Sequence, residues 1–126
     1  MNVVDSSGWL EFFAAAPNAD FFAPALLAVD ELVVPSVTVY EVFKRVMQQR
    51  GEGAALQAIA LMQQGGIVDL TAPSAISAAR LSVDAGLSMA DAIILSAARS
   101  VGATFWTQDA HFEGMEGVEY VSARSD

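Results

Sequence analysis

Four acids carry the chemistry that this sequence can offer. Asp5, Glu41, Asp91 and Asp109 each stand where one element gives way to the next. Carboxylates gathered at one place repel one another, so they are tolerated only when some keep their protons or a hard cation neutralises them. The chain has no cysteine and a single histidine. An oxygen-rich donor set of that kind favours Mg²⁺, or Mn²⁺ in its place, over Zn²⁺. The lack of cysteine also excludes a thiolate nucleophile and a disulfide framework.

The elements that must position these acids follow from local pattern. Asn2-Val3-Val4-Asp5-Ser6-Ser7 reads as a short buried strand that delivers Asp5 to its carboxyl end, with a helix starting on Ser6 or Ser7 as N-cap. In open α/β sheets, ligands bind at the carboxyl ends of strands, beside the point where strand order reverses. Trp9, Leu10, Phe12 and Phe13 then form a strongly apolar helix reaching Ala16 and closed by Pro17. Asn18 caps a second helix containing Phe21, Phe22, Leu26 and Leu27, with Pro24 in its first turns.

Glu31–Val34 is a second strand, turned by Pro35-Ser36 into a helix that runs to Arg50 and ends at Gly51. On a helical wheel, Val39, Tyr40, Val42, Phe43, Val46 and Met47 form the core face, with Glu41, Lys44, Arg45 and Gln48 opposite. For Glu41 two readings stand at this point: a solvated pair with Arg45 at i,i+4 spacing, or a site residue. A helix over 52–64 turns Leu56, Ile59 and Leu61 inward and ends at Gly65-Gly66, before a third strand at 67–70. Thr71 and Ser74 open a helix that Gly86 stops.

Ser88 and Asp91 have the spacing of a capping box, which is a structural reason for both. On the wheel, however, Asp91 falls within the apolar arc of Ala90, Ile93, Ile94, Leu95, Ala97 and Ala98, where an unpartnered acid is costly. A fourth strand at 103–106, notably bulky at Phe105-Trp106, runs into Thr107-Gln108-Asp109-Ala110-His111-Phe112 and repeats the opening pattern of apolar strand, hydroxyl and acid. A last strand covers 118–121, and 122–126 reads as a loose tail. Strands alternating with helices define an α/β domain with a parallel sheet and helices on both faces. No linker or internal repeat divides the single domain of 126 residues.

Composition limits the partners. Fifteen Asp and Glu against six Lys and Arg leave a net charge of -9, which argues against a broad grip on nucleic-acid phosphates without bridging metal. The 54% apolar content has two readings, a high share of alanine or surface that covers a protein partner. With no basic segment ahead of an apolar stretch and no run long enough to span a bilayer, the chain is expected to be soluble, unprocessed and cytoplasmic.

Taken together, Val4-Asp5-Ser6-Ser7-Gly8-Trp9, the Pro35-Ser36 turn leading to Tyr40-Glu41-Val42, Leu87-Ser88-Met89-Ala90-Asp91-Ala92, and Trp106-Thr107-Gln108-Asp109-Ala110-His111-Phe112 resemble the PIN-domain ribonucleases, specifically the VapC-type toxins of toxin–antitoxin pairs. Each motif is weak alone, but the four follow the family's order and spacing over nearly the whole chain. The resemblance implies a three-layer α/β/α fold whose five-stranded parallel sheet has the order 3-2-1-4-5. It also implies Mg²⁺-dependent cleavage of RNA, leaving 5′-phosphate and 3′-hydroxyl ends. Asp5, Asp91 and Asp109 would hold one or two ions, with Glu41 binding directly or through water. A small antitoxin docked on the early apolar helices, and a homodimer, are implied in the same way.

Around that set, Ser6 and Thr107 are placed to contact a carboxylate, a metal-bound water or a phosphate, or to act as local caps. Lys44, Arg45 and Arg50 are candidate RNA contacts or plain solvated cations. His111 reads as a turn residue, and Trp9, Phe12 and Phe13 as core and interface rather than stacking platforms, since their spacing is helical. The rival functions are a PIN-like domain that only binds a partner, and a phospho-acceptor receiver. The receiver needs a late lysine, and the only lysine here is Lys44. A phosphatase of the haloacid dehalogenase kind would need Asp-x-Asp where this chain has Asp5-Ser6-Ser7.

Overall fold

Val3 and Val4 point to opposite faces of the first strand, as the two-residue period of an extended chain requires. Both are buried, each in a different core. A strand apolar on both faces has to be covered on both, and that sets the layering. The computed structural model describes residues 1–124. It contains β1 (Asn2–Val4), β2 (Val33–Pro35), β3 (Gly66–Val68), β4 (Thr104–Thr107) and β5 (Val118–Tyr120).

β1 pairs with β4, β4 with β5, and β2 with β3, all parallel. A single parallel bridge between Asn2 and Leu32 joins the two pieces, so the strands lie in the expected order 3-2-1-4-5. The sheet is thus a three-stranded and a two-stranded ribbon held side by side more by packing than by a continuous ladder.

The helices are α1 (Ser6–Phe13), α2 (Ala19–Leu27), α3 (Ser36–Arg50), α4 (Glu52–Met62), α5 (Ala72–Ala85) and α6 (Met89–Ser100). One core joins Val4 and Val34 to Trp9 and Phe22 from α1 and α2, Val42 and Val46 from α3, and Met62 from α4. The other joins Val3 and Val33 to Ile94 and Leu95 of α6 and to Phe105 and Phe112, whose rings meet edge to face. No single helix among the described residues is long and apolar enough to cross a membrane.

Several boundaries and faces differ from the pattern-based expectation, for physical reasons. The N-cap of α1 is Asp5, whose carboxylate accepts from Ser6 N; neither Ser6 nor Ser7 serves. That helix stops at Phe13 because Ala15 takes a left-handed φ of 49° and turns the chain before Pro17. β2 starts late because Val29–Glu31 forms a 3-10 turn. On α3 the buried stripe is Thr38, Val42 and Val46, while Tyr40 and Met47 face solvent. Thr38 tolerates burial because its hydroxyl donates to Pro35 O at 2.6 Å.

On α4 the inward residues are Ala55, Ala58 and Met62; Leu56 and Leu61 are exposed and Ile59 lies between. Small alanines let α4 pack closely against α3, and that choice of face leaves the leucines outside. At the other end of the chain, Ser122 O accepts from Asn18 Nδ2, and the Arg124 guanidinium donates to Asn18 Oδ1 and Pro17 O. The expected loose tail is therefore held as far as Arg124, and residues 125 and 126 lie outside the described residues.

The seat of α1 over β1 depends on one glycine. A Cβ at Gly8 would lie 2.6 Å from Val4 Cγ1 and 2.7 Å from the Phe22 ring. Gly8→Ala is therefore expected to destabilise the fold by about 1–3 kcal/mol through overpacking, outweighing alanine's helix preference of about 1 kcal/mol. Urea unfolding checks this, and an unchanged or higher midpoint would contradict the tight seat.

Candidate active site

Asp5 follows directly on β1, and the pairing of Val4 with Trp106 sets it beside Thr107 at the carboxyl end of β4. Its backbone N–H donates to Trp106 O at 2.9 Å. One carboxylate oxygen accepts from Ser6 N at 2.8 Å, and the other accepts from Thr107 Oγ1 at 2.8 Å and Ser7 Oγ at 3.3 Å. Only 5% of the residue is exposed. Burial pushes its carboxyl up to about 6, opposed by the Thr107 and Ser6 hydrogen bonds and reinforced by the charges of Asp91 and Glu41.

Thr107 fastens two of the acids. Its hydroxyl donates to Asp5 and also accepts the backbone N–H of Asp109 at 2.9 Å. With both functions used, the hydroxyl is fully satisfied in a fully buried position. Ser6 does the same for the third acid: its hydroxyl donates to Glu41 Oε1 at 2.6 Å. Among the described residues Glu41 forms no ion pair with Arg45, so the solvated-pair alternative is not the one adopted.

The capping role of Ser88 is met by its hydroxyl accepting from Asp91 N at 3.4 Å, which leaves the Asp91 carboxylate turned toward the other acids. Burial raises the Asp91 pKa first and the charges of Asp109 and Glu41 add to it, against Ser88 and His111. Asp109 accepts from His111 N at 2.9 Å in the 3-10 turn Ala110–Phe112. His111 Nδ1 lies 3.3 Å from Asp109 Oδ1 and 3.9 Å from Asp91 Oδ2. Sequence reading made His111 a turn residue. It is one, but its ring also meets two of the acids, and the Asp-x-His spacing was the available signal.

The remaining candidates separate. Lys44 and Arg45 are exposed on α3 and share a shallow pocket with Glu41, whereas Arg50 lines a different groove with Leu10, Phe13 and Ala54. Trp9 is buried and stacks on Phe13, and Phe12 and Phe13 pack against the same core, in keeping with a structural role. Ser7, an N-cap candidate by sequence, instead donates its hydroxyl to Asp5.

The donor set suits a hard divalent cation. Among the described residues no Lys or Arg lies within ion-pair distance of the four acids. One ligand atom each from Asp91, Asp109 and His111 lies within 4.8 Å of the others. The carboxylate oxygens are hard donors that suit a divalent cation, and the His111 imidazole is a borderline one.

The sequence profile of the PIN domain matches residues 3–118. The chain belongs to the PIN-domain family. No curated protein sequence matches it. Among solved structures, this PIN domain is similar to a toxin–antitoxin complex from Klebsiella pneumoniae, with a TM-score of 0.78 at 22% identity over 94% of this chain and 96% of the other. It is similar to DNA-bound VapBC from Salmonella typhimurium, with a TM-score of 0.74 at 15% identity over 96% of each chain. VapC20 of Mycobacterium tuberculosis, a Sarcin-Ricin loop cleaving toxin, superposes with a TM-score of 0.67 at 20% identity over 82% of this chain and 85% of the other. At these identities the likeness is one of fold. The PIN fold accounts for the meeting of Asp5 and Asp109, since its strand order makes β1 and β4 neighbours at the reversal point.

Proposed function

We propose that this PIN domain is a metal-dependent endoribonuclease acting as the toxin of a toxin–antitoxin pair. The observation that carries the reading is the gathering of acids from four separate elements: Thr107 binds Asp5 and the Asp109 backbone, Ser6 binds Asp5 and Glu41, and ligand atoms of Asp91 and Asp109 lie within 4.8 Å of each other. A protein gains nothing in stability from such a cluster, so a ligand that requires it is the economical explanation. Asp5, Asp91 and Asp109 would hold Mg²⁺, or Mn²⁺ in its place, with Glu41 bound directly or through water. The metal, when bound, supplies an acidified water and charge neutralisation on the phosphodiester.

The chain's own residues supply the positioning. Thr107 holds the Asp5 carboxylate and the Asp109 backbone in one register, and Ser6 orients Glu41. These hydroxyls fix the rotamers of the acids before a substrate arrives. The His111 ring lies against Asp109 at the exposed rim, with Nδ1 3.3 Å from Oδ1. It needs no nucleophilic side chain, because the attacking oxygen comes from water.

The neighbours named as toxin–antitoxin complexes favour a small antitoxin as partner. A groove of about 230 Å³ between α1, α3 and α4, lined by Leu10, Phe13, Val46, Ala58 and Leu61, is suited to an apolar segment of that partner. A homodimer would cover the exposed Ile76 and Val83 of α5. The cytoplasm, where RNA is available, fits this role.

Purified, antitoxin-free protein is expected to cut total RNA into discrete fragments with 5′-phosphate ends in Mg²⁺, and to stop in EDTA. Asp91→Asn is expected to be inactive in either condition. Intact RNA across a broad panel, with folded protein and either Mg²⁺ or Mn²⁺, would instead favour the silent partner-binding domain.

A further inference from the structure

Tyr40 belongs to the core face of α3 by helical period, yet 62% of it is exposed. It sits one residue before Glu41, and the two line a shallow pocket of about 200 Å³ with Lys44, Arg45 and Gln48. The Lys44 ammonium lies 5.8 Å from the Tyr40 ring centroid, at the outer limit of a cation–π contact. Such a contact is weak and easily displaced. Among the described residues neither Lys44 nor Arg45 pairs with a carboxylate, although the chain has fifteen Asp and Glu. Two unpaired cations and an exposed ring thus occur together on one edge of the acid cluster.

We infer that Tyr40 is a stacking platform for an unpaired nucleotide of single-stranded RNA, with Lys44 and Arg45 taking the adjoining phosphates. The inference rests on the ribonuclease reading above and adds to it the residue that seats an unpaired base. A phenol ring offers a face to any base, and a base in a duplex has no free face to offer it. The neighbouring cations answer the difficulty raised by a net charge of -9, because they place positive charge locally where the backbone must pass. Lys44 moves from the ring to a phosphate as the base takes the ring. Tyr40 and Glu41 line the same pocket, so a base stacked on the ring lies at the edge of the acid cluster.

The test uses the full chain and a labelled, mixed-sequence single-stranded RNA of about a dozen nucleotides, a length within single-strand site sizes, alongside the same sequence as a duplex. Binding is read by anisotropy in EDTA, and cleavage separately in Mg²⁺. Tyr40→Ala is expected to weaken single-strand binding about tenfold, with the cleavage defect falling on KM rather than kcat. Tyr40→Phe keeps the ring and is expected to bind like the wild type. Lys44→Ala is expected to lower the salt dependence of binding by about 0.7 in log–log slope. An unchanged thermal midpoint confirms that these exposed changes leave the fold intact.

Wild-type affinity in Tyr40→Ala would overturn the inference while leaving the nuclease reading standing, provided the wild type cleaves RNA. Equal loss in Tyr40→Phe would also overturn it, since the hydroxyl and not the ring would then matter. Equal binding of the duplex would assign the patch to backbone contact alone. If the variant bound RNA normally but lost the protein encoded beside its gene, the ring would belong to a protein interface. A wild type that neither binds nor cleaves any RNA removes the nuclease reading itself, and the inference with it.

Discussion

Asp5→Asn is expected to abolish RNA cleavage and, in the same protein, to raise the stability of the metal-free form at neutral pH. The substitution keeps the shape and one acceptor, so Ser6 N retains a partner where Asp5 now caps α1. It removes one of the charges that would hold the cation. Loss of a residue that only orients a metal ligand typically costs about 10–100-fold, and loss of a ligand itself is expected to exceed that. The same charge is a burden to the metal-free fold. Its carboxyl, pushed from the ordinary 3.8 to about 6 in a 5% exposed position, corresponds to about 3 kcal/mol of destabilisation at neutral pH. Some of this is offset by the Thr107 and Ser7 hydrogen bonds that asparagine cannot reproduce on the second oxygen. The expected net result is a midpoint a few degrees higher in EDTA, with no detectable cleavage in Mg²⁺. Cleavage within tenfold of wild type would remove Asp5 from the ligand set. A lower midpoint would mean that Asp5 is chiefly a helix cap and a hydrogen-bond acceptor.

Much of this site is legible in the sequence because strands end in chemistry. Asp5 and Asp109 both follow an apolar run, and the carboxyl ends of parallel strands lie at the same edge of the sheet. Their adjacency is a different matter. β1 and β4 are about a hundred residues apart, and no local pattern specifies that pairing. It enters through resemblance to a family whose strand order is known. Thr107 shows the same limit on a smaller scale. Its position after the strand marks it as interesting, but that it donates to one acid and accepts from the backbone of another is a fact of tertiary geometry.

The buried helix faces differ from the helical-period expectation for a reason of width. A helical period locates the centre of an apolar arc without saying how much of the arc a neighbour covers. On α3 the covered stripe is Thr38, Val42 and Val46, so Tyr40 at its margin is left in solvent. On α4 hydrophobicity pointed to Leu56 and Leu61, while close packing selected Ala55 and Ala58. Size matching against α3 decided the face, and size matching is invisible to a one-helix analysis. Glu41 is the complementary case: local spacing offered it Arg45, but the better partner is the Ser6 hydroxyl, which comes from a different element.

The metal-free protein is expected to lose stability as pH rises through the range between about 4 and about 6, contrary to the usual behaviour of an acidic domain. In that window folded Asp5 still holds the proton that the unfolded chain has released, so the folded state binds more protons. Stability then falls with pH and levels off above the folded value, the whole contribution of Asp5 being about 3 kcal/mol. Asp91 is raised by the same causes and adds a fall of the same sign. A divalent cation reverses the trend. It binds the ionised carboxylates, must displace their protons to do so, and therefore stabilises the fold more as pH rises. Thermal midpoints across this range should decline with pH in EDTA and rise in saturating Mg²⁺, the two curves converging at the acid end. In Asp5→Asn the EDTA decline should shrink to the part that Asp91 contributes. An EDTA curve that rises with pH would show that Asp5 is ionised at no cost in the folded chain, and the cluster would then lose its electrostatic need for a cation.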